Sequence, residues 1–266
     1  MTIRTESWPA GTPAWVDLNV PDRSVAQRFY GELFGWEFTP DGPEETGYYS
    51  NALVNGQPAA GLGQAPAEAG IPALWTTYLA TDDAASTVDK VTASGGQVLV
   101  PATPIEGFGD FAVVQDPTGA VFGLWQSGSH TGANVVNESN TMIWNQAMTR
   151  DPAAALGFYQ EVFGMTSTDI GGDSMVFHTL ELGGNTVGGL GALPDEVPAE
   201  VPAHWEVFFA VEDADATIGK AQELGGTVLS PAMDTPFGRM AQLVGPSGEP
   251  FSIIKPPDDD GSESDL

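Results

Sequence analysis

The chain opens with a change of hydrophobic period that predicts a strand followed by a helix. Apolar and polar residues alternate from Ala14 to Val20, as expected of a strand with one buried face. Apolar residues then recur at helical spacing from about Arg23 to Phe34. This helix is predicted to begin at an Asp or Ser cap and to end at Gly35, where glycine takes the left-handed conformation.

The same pattern returns in the second half of the chain at an offset of 129 residues. The matching pairs are Trp15 with Trp144, Phe29-Tyr30 with Phe158-Tyr159, and Phe34-Gly35 with Phe163-Gly164. Around each copy, alternating runs separated by Asn-Gly, Gly-Gly and Asp-Pro-Thr-Gly turns predict further strands and hairpins. The repeating unit is therefore predicted to be βαβββ, and the chain to contain four copies at 13–64, 74–126, 141–193 and 204–255.

These units predict an α+β protein with two tandem domains. The first domain is expected at 13–127 and the second at 141–256, joined by a polar linker at 128–140. Residues 1–12 are predicted to be a disordered lead-in. Residues 257–266 are rich in acidic and poor in apolar side chains, which favours a disordered tail.

Composition narrows the classes of function. Lys and Arg total 8 against 36 Asp and Glu, for a formal net charge of −28, which disfavours nucleic acid and membrane surfaces as partners. The absence of Cys excludes disulfides, thiol nucleophiles and thiolate metal sites. With no signal-like leader and no long apolar run, a cytoplasmic protein is expected.

Taken together, these motifs resemble the vicinal oxygen chelate superfamily, which includes glyoxalase I, bleomycin-resistance proteins and extradiol dioxygenases. Within it the chain is most similar to the tandem glyoxalase-like proteins of actinobacteria, the CFP-30B antigen type, often labelled hydroxylases. The resemblance covers about 13–256 and implies two domains, each with two units whose sheets curl into a cup that holds a ligand. The superfamily hosts lyases, isomerases, epimerases, dioxygenases and drug binders, so the fold alone does not choose among them.

The resemblance also implies where a metal would lie. Metal-bearing members use a His or Gln on the first strand of one unit and a His or Glu on the first strand of its partner. A Glu on the partner's last strand completes the set. The corresponding positions here are Trp15, Thr76 and Gly123 in the first domain and Trp144, Glu206 and Ser252 in the second. Only Glu206 among them is a good ligand, which predicts no metal cofactor. A displaced set of Gln146, His204 and Glu206 binding Zn, Fe, Ni or Mn stays open as an alternative.

Each cup is instead predicted to have an aromatic lining with a few polar anchors, as in sites for flat or amphiphilic molecules. The predicted ligand-binding residues are Trp15, Asn19, Tyr78 and Trp125 in the first domain and Trp144, Gln146 and Phe208 in the second. The competing interpretation is that these rings merely fill cups that bind nothing.

If the protein is an enzyme, Asp17 and Glu206 are the predicted catalytic residues. An apolar cup would raise the pKa of a carboxyl by desolvation and suit it to proton abstraction next to a carbonyl. Three classes of function stay open: metal-independent acid–base chemistry on a small carbonyl, aromatic or polyketide-like molecule, drug sequestration, and a metal-dependent lyase or dioxygenase. Because one chain carries four units, a monomer is the simple expectation, with a homodimer through sheet edges left open.

Overall fold

The computed structural model describes residues 3–65, 70, 72–172 and 175–257. The elements of the first half are β1 (Pro13–Val20), α1 (Arg23–Phe34), β2 (Glu37–Phe38), a 3-10 helix (Glu44–Thr46), β3 (Ser50–Val54), β4 (Gln57–Gln64), β5 (Trp75–Ala80), α2 (Ala84–Ala93), β6 (Gln97–Ile105), β7 (Gly109–Gln115) and β8 (Val121–Ser127). Those of the second half are β9 (Met142–Thr149), α3 (Pro152–Phe163), β10 (Thr166–Asp169), β11 (Phe177–Leu182), β12 (Asn185–Ala192), β13 (His204–Ala210), α4 (Ala214–Glu223), β14 (Thr227–Thr235), β15 (Gly238–Val244) and β16 (Pro250–Lys255).

Each half forms one eight-stranded mixed sheet, and the two sheets have the same topology. The strand order is β2-β3-β4-β1-β5-β8-β7-β6 in the first and β10-β11-β12-β9-β13-β16-β15-β14 in the second. The antiparallel pair β1–β5, or β9–β13, joins the two βαβββ units at the centre of each sheet. The predicted α+β class, with one sheet of two βαβββ units in each half of the chain, is confirmed.

The helix ends follow the caps predicted from sequence. The carboxylate of Asp22 accepts backbone N–H groups at the start of α1, and Asp83, Asp151 and Asp213 do the same for the other helices. Gly35 and Gly164 end α1 and α3 in the left-handed conformation, with φ of 70° and 72°. The helix boundaries are therefore determined by local capping residues, which can be recognised from the sequence alone.

The hydrophobic core joins the halves, because each of its two clusters contains residues from both sheets. On α1 of the first half, Phe34 contacts the rings of Phe209 and Phe251 in the second half. On α3 of the second half, Phe158 contacts Phe122 of the first. The helix-bearing faces of the sheets are thus packed together, and the opposite faces are left to form the cups.

Two buried tyrosines connect the halves by hydrogen bonds. Tyr30 of α1 donates its hydroxyl to Glu249 at 3.0 Å and accepts the indole N–H of Trp75 at 3.1 Å. Tyr159 of α3 occupies the equivalent place in the repeat, donating to Asp116 at 3.0 Å and accepting from Trp205 at 2.8 Å. Because both tyrosine hydroxyls are hydrogen-bonded, their burial costs little free energy. The loss of one partner would leave a buried polar group without a hydrogen bond.

Two sequence-based expectations need correction. The lead-in was expected to be disordered, yet the backbone N–H groups of Arg4 and Gly11 donate to Asn134 and Ala80. The indole of Trp8 also donates to the carbonyl of Ala133 at 3.1 Å. The sequence also predicts a strand at Gln97 to Val100. In the structure β6 extends to Ile105, because β-bulges let it follow β7 past Pro101. Residues 258–266 of the predicted tail lie outside the described residues.

Of the helices that the described residues form, none combines the length and the apolar character that a membrane crossing requires.

Candidate functional site

Alternation along the central strands places polar and aromatic side chains on the sheet face opposite the helices. We call the two resulting clusters the first cup and the second cup. The first cup consists of Trp15, Asp17, Asn19, Tyr49, Tyr78, Trp125 and His130. The second consists of Trp144, Gln146, Met148, Phe177, Glu206, Phe208, Met240, Gln242 and Ser252. Asp17 and Glu206 therefore lie in different cups.

Asp17 is the buried carboxyl of the first cup, with 5% of its surface exposed. It accepts a hydrogen bond from the hydroxyl of Tyr49 at 3.1 Å and another from Tyr78, while the amide of Asn19 lies 3.4 Å away. Burial raises the pKa of Asp17 to about 7, although both phenol hydrogen bonds oppose the shift. The sequence-based expectation that the cup would raise a carboxyl pKa agrees with this value.

Glycines on neighbouring strands make room for the two phenols. A Cβ at Gly61 would lie 1.8 Å from the hydroxyl oxygen of Tyr49, and one at Gly123 would lie 2.0 Å from the ring of Tyr78. By the resemblance described above, Gly123 stands at a position that a metal ligand occupies in metal-bearing members. Here the ring of Tyr78 fills the space that a side chain at this position would occupy. The two phenols therefore pack directly against the strand backbones of the first cup.

His130 comes from the linker and enters the first cup. Its ring meets Trp15 edge-on with centroids 4.5 Å apart and Trp125 with centroids 5.3 Å apart. The indole N–H of Trp125 donates to the His130 carbonyl at 2.9 Å, and Nδ1 accepts the backbone N–H of Gly132 at 3.1 Å. Burial lowers the pKa of His130 to about 4, so the ring is neutral near pH 7.

Glu206 is the central acidic group of the second cup, and it is only half-buried. One carboxylate oxygen accepts from Gln242 at 2.7 Å and from the hydroxyl of Ser252, and the other accepts from Gln146 at 2.9 Å. Gln146 in turn accepts the indole N–H of Trp144 at 3.1 Å. The side chains that hold the carboxyl group of Glu206 in place are thus neutral donors.

Aromatic and methionine side chains form the walls of the second cup. A Cβ at Gly189 would lie 2.6 Å from the ring of Phe177 and 3.0 Å from that of Trp144, so these two rings flank one glycine. A Cβ at Gly191 would meet Phe177 and the thioether of Met148. Such a wall presents flat faces together with a polarizable side chain that can adapt its shape.

The carboxyl group of each cup comes from a different strand of the central antiparallel pair: from the first strand, β1, in the first cup and from the second strand, β13, in the second cup. Asp17 faces Thr76 across the β1–β5 ladder, whereas Gln146 faces Glu206 across the equivalent β9–β13 ladder. In the first cup the carboxyl group is buried and contacts two phenols. In the second cup it is half-buried and contacts two amides and a hydroxyl. The internal repeat therefore produces two chemically different sites.

The residues of the second cup do not fit a three-ligand metal site. The oxygen of Gln146 is engaged by Trp144, and both carboxylate oxygens of Glu206 already accept hydrogen bonds. His204 lies on the same strand face as Glu206, but its Nδ1 is 2.9 Å from the carbonyl of Pro202. His178 pairs with Leu190, whose side chain is in the core, and so faces away from the cup. Within the described ranges, no three His, Asp or Glu side chains are grouped as metal ligands.

Two surface clefts lie away from both cups. One, of about 260 Å³, borders the start of α3 at Arg150 and Asp151. The other, of about 360 Å³, lies between Lys90 of α2 and Gln160 of α3. Neither cleft contains a residue predicted to bind a ligand.

The fold and its internal repeat agree with comparisons to known proteins. The sequence profile of the glyoxalase/bleomycin resistance protein/dioxygenase superfamily matches residues 12–124 and again 131–261. The chain belongs to this superfamily. CFP32 of Mycobacterium tuberculosis, named as a glyoxylase, is 44% identical over 251 residues, covering 92% of this chain and 95% of the relative. DnrV of Streptomyces peucetius, named an anthracycline biosynthesis protein, is 35% identical over 258 residues, covering 92% and 93%.

Solved structures of the superfamily share the fold at low identity. The Mn(II)-bound glyoxalase from Novosphingobium aromaticivorans superposes with a TM-score of 0.64 at 16% identity, covering 93% of this chain and 82% of that one. The 2,3-dioxygenase LapB from Pseudomonas sp. KL28 gives 0.64 at 13% identity, covering 95% and 93%. These two structures share the architecture of this chain.

Sequence reasoning missed several cup residues. His130 lies in the linker, where no alternation could point to it. The sequence predicts a strand at Tyr48 to Val54, but Tyr49 directly precedes β3 and was not recognised as a cup residue. Phe177, Met148 and Gln242 lie on strands that the alternation did predict, and counting along their registers could have found them. The predicted ligand-binding residues of each domain do share one cup face.

Proposed function

We propose that the second cup binds a flat, polycyclic aromatic molecule that carries a hydroxyl or ammonium donor, and that Glu206 accepts this donor. The observation that carries the proposal is the half-buried carboxylate of Glu206, held by Gln146, Gln242 and Ser252 between aromatic walls. Since its supporting donors are neutral, the charge of Glu206 stays available to a ligand.

The walls of the cup suit a large ring system. Trp144, Phe177 and Phe208 offer flat apolar faces, and Met148 and Met240 can adjust to the outline of a ligand without a change of backbone. The formal net charge of −28 would further concentrate cations near the protein. A cationic aromatic molecule would therefore be complementary to the walls of the second cup and would also be attracted by the negative charge of the whole protein.

The similarity to DnrV supports the same ligand class. Its name places that protein in anthracycline biosynthesis. Anthracyclines are fused-ring aromatic polyketides that carry hydroxyl groups and, when glycosylated, an amino sugar. A ring system of this kind would stack on the walls of the cup while a hydroxyl or ammonium group reached Glu206.

Replacement of Glu206 by Gln tests the proposal. Titration of tryptophan fluorescence with an anthracycline amino-glycoside should show at least a ~10-fold loss of affinity in the variant, because the charge is removed while the shape is kept. The neutral aglycone should lose less, since Gln can still accept a hydrogen bond. Glu223→Gln, at the exposed end of α4, is the control and should bind both ligands as the wild type does. Equal affinity of the Glu206→Gln variant and the wild type for both ligands would contradict the proposal.

Recovery of the ligand distinguishes sequestration from catalysis. An unchanged ligand after long incubation supports a binding protein, whereas a new product supports acid–base chemistry. Asp17 lies in the first cup, so proton transfer to a ligand of the second cup would fall to Glu206. Glu206→Gln should then abolish turnover beyond what its loss of affinity explains, and unchanged turnover would remove Glu206 from the mechanism. Burial brings the pKa of Asp17 to about 7, near the operating range of a general base, so Asp17→Asn tests acid–base chemistry only for a ligand of the first cup.

The proposal requires no metal, and metal analysis of protein purified without a His tag checks this point. The result expected is less than stoichiometric Zn, Fe, Ni or Mn. Stoichiometric metal that disappears in Glu206→Ala would instead support a lyase or dioxygenase with an atypical ligand set including Gln146.

A further inference from the structure

The first cup holds a five-membered heteroaromatic ring that belongs to the protein itself. The imidazole of His130 lies between Trp15 and Trp125, which it meets at interplanar angles of 86° and 77°. Both tryptophans are at least nine-tenths buried. A linker side chain therefore occupies a place that the walls of the cup would otherwise leave free.

The walls of this place are fixed independently of the imidazole ring. The indole N–H of Trp15 donates to Tyr49 at 2.8 Å, and that of Trp125 donates to the backbone carbonyl of His130. The backbone of the linker is likewise anchored, since the N–H of His130 donates to Phe108 and that of Ala133 donates to Ala14. Removal of the ring should thus leave a preformed slot rather than a collapsed one.

The slot also contains a hydrogen-bond donor aimed at the ring. The backbone N–H of Gly132 lies 3.1 Å from Nδ1, which must act as the acceptor and so has no proton in the neutral ring. A ring without a nitrogen acceptor would leave this N–H unpaired in a buried place. A charged ring would be disfavoured too, because burial already lowers the pKa of His130 to about 4.

We propose that the first cup is a binding site for a small, neutral nitrogen heterocycle with a pyridine-type acceptor, and that His130 fills this site in the free protein. The site is separate from the second cup and differs in ligand class, since it favours a small neutral ring over a large cationic one. In the wild type the tethered ring competes at a high effective concentration, so a free heterocycle binds weakly.

The test is His130→Gly titrated with imidazole at pH 8, where imidazole is neutral. Saturable changes are expected in tryptophan fluorescence and in the indole N–H resonances of Trp15 and Trp125, together with a rise in Tm of a few degrees. The wild type and His178→Gly, a histidine replaced outside the cups, should show no saturable change. Absence of saturable binding to His130→Gly, or equal binding to His178→Gly, would overturn the proposal.

Pyrrole tests the ligand class, because it matches imidazole in size and lacks the acceptor nitrogen. It should bind His130→Gly at least ~10-fold more weakly, since the N–H of Gly132 would stay unpaired. Equal binding of the two rings would overturn the role of the acceptor. If His130→Gly does not fold, imidazole but not pyrrole should restore the folded state, and failure of imidazole to do so would also count against the proposal. Both probes are chosen to bind in the first cup, so the outcome does not depend on whether the second cup binds its aromatic ligand.

Discussion

Asp17 and His130 are two buried titratable residues whose effects on stability have opposite signs. Burial raises the pKa of Asp17 from 3.8 to about 7, so the folded protein binds more protons than the unfolded chain between these values. The contribution of Asp17 to stability therefore falls as pH rises through this window. Burial lowers the pKa of His130 from 6.5 to about 4, so the unfolded chain binds more protons and stability rises with pH. Between about pH 4 and 6.5 the two effects oppose each other.

Single substitutions should expose each effect. Relative to the wild type, Asp17→Asn should lose up to about 1.4 kcal/mol of unfolding free energy for each unit that pH falls from 6.5 to 4.5. His130→Phe should gain a similar amount over the same interval, because the imidazole can no longer take up a proton on unfolding. Urea unfolding at a series of pH values measures both slopes. Slopes parallel to that of the wild type in both variants would show that neither pKa is shifted by burial.

The tight hairpins β7–β8 and β15–β16 each contain a carboxylate that accepts a hydrogen bond from a buried tyrosine, but the two carboxylates come from different positions of the repeat. Asp116 caps the first hairpin by accepting the N–H groups of Thr118 and Ala120, and it also accepts the hydroxyl of Tyr159. In the repeat, Gly245 stands at the position of Asp116 and Glu249 at that of Ala120. A Cβ at Gly245 would lie 2.0 Å from a carboxylate oxygen of Glu249, so the glycine makes room for the longer acid.

The arrangement of the second hairpin can be introduced into the first by replacing Asp116 with Gly and Ala120 with Glu. Asp116→Gly should lose about 2–4 kcal/mol, because it leaves the hydroxyl of Tyr159 and the hairpin N–H groups without an acceptor. Ala120→Glu alone should also destabilise, because it crowds a second carboxyl against Asp116. The double variant should be more stable than the sum of the two single changes predicts, as a double-mutant cycle in urea would show. Simple additivity would mean that the two carboxylates are not interchangeable.

At the scale of the whole molecule, each half supplies a helix that is buried against the other half. Phe29 and Tyr30 of α1 contact Phe251, and Phe158 and Tyr159 of α3 contact Phe122. A buried hydrogen bond of 2.8 Å from Thr77 to Asn145 lies between the sheets. Unfolding of one half would expose apolar surface on the other.

We therefore expect the two halves to unfold in one transition. Far-UV circular dichroism and tryptophan fluorescence should give coincident urea curves. Tyr30→Phe and Tyr159→Phe should each shift that single transition by about 1–3 kcal/mol, because a buried carboxyl and a buried indole N–H lose their shared partner. Two resolved transitions, one per half, would contradict the interlocked core.

Sequence by itself determined the elements and the family, because these depend on local patterns. The alternation around Trp15, the caps at Asp22 and Gly35, and the repeat at Trp144 predicted strand, helix ends and duplication. The same alternation placed Asp17 and Glu206 on cup faces, since side chains on a strand change sides at every residue.

Only the tertiary structure decided what each cup contains. Tyr49 reaches Asp17, and His130 reaches Trp15, across 32 and 115 residues of chain, and no local period encodes such contacts. The partners of Glu206 likewise depend on the register of β13 with β9 and on the pairing of β15 with β16. Burial and hydrogen bonding are properties of the assembled sheets, and they turn two copies of one sequence pattern into two different sites.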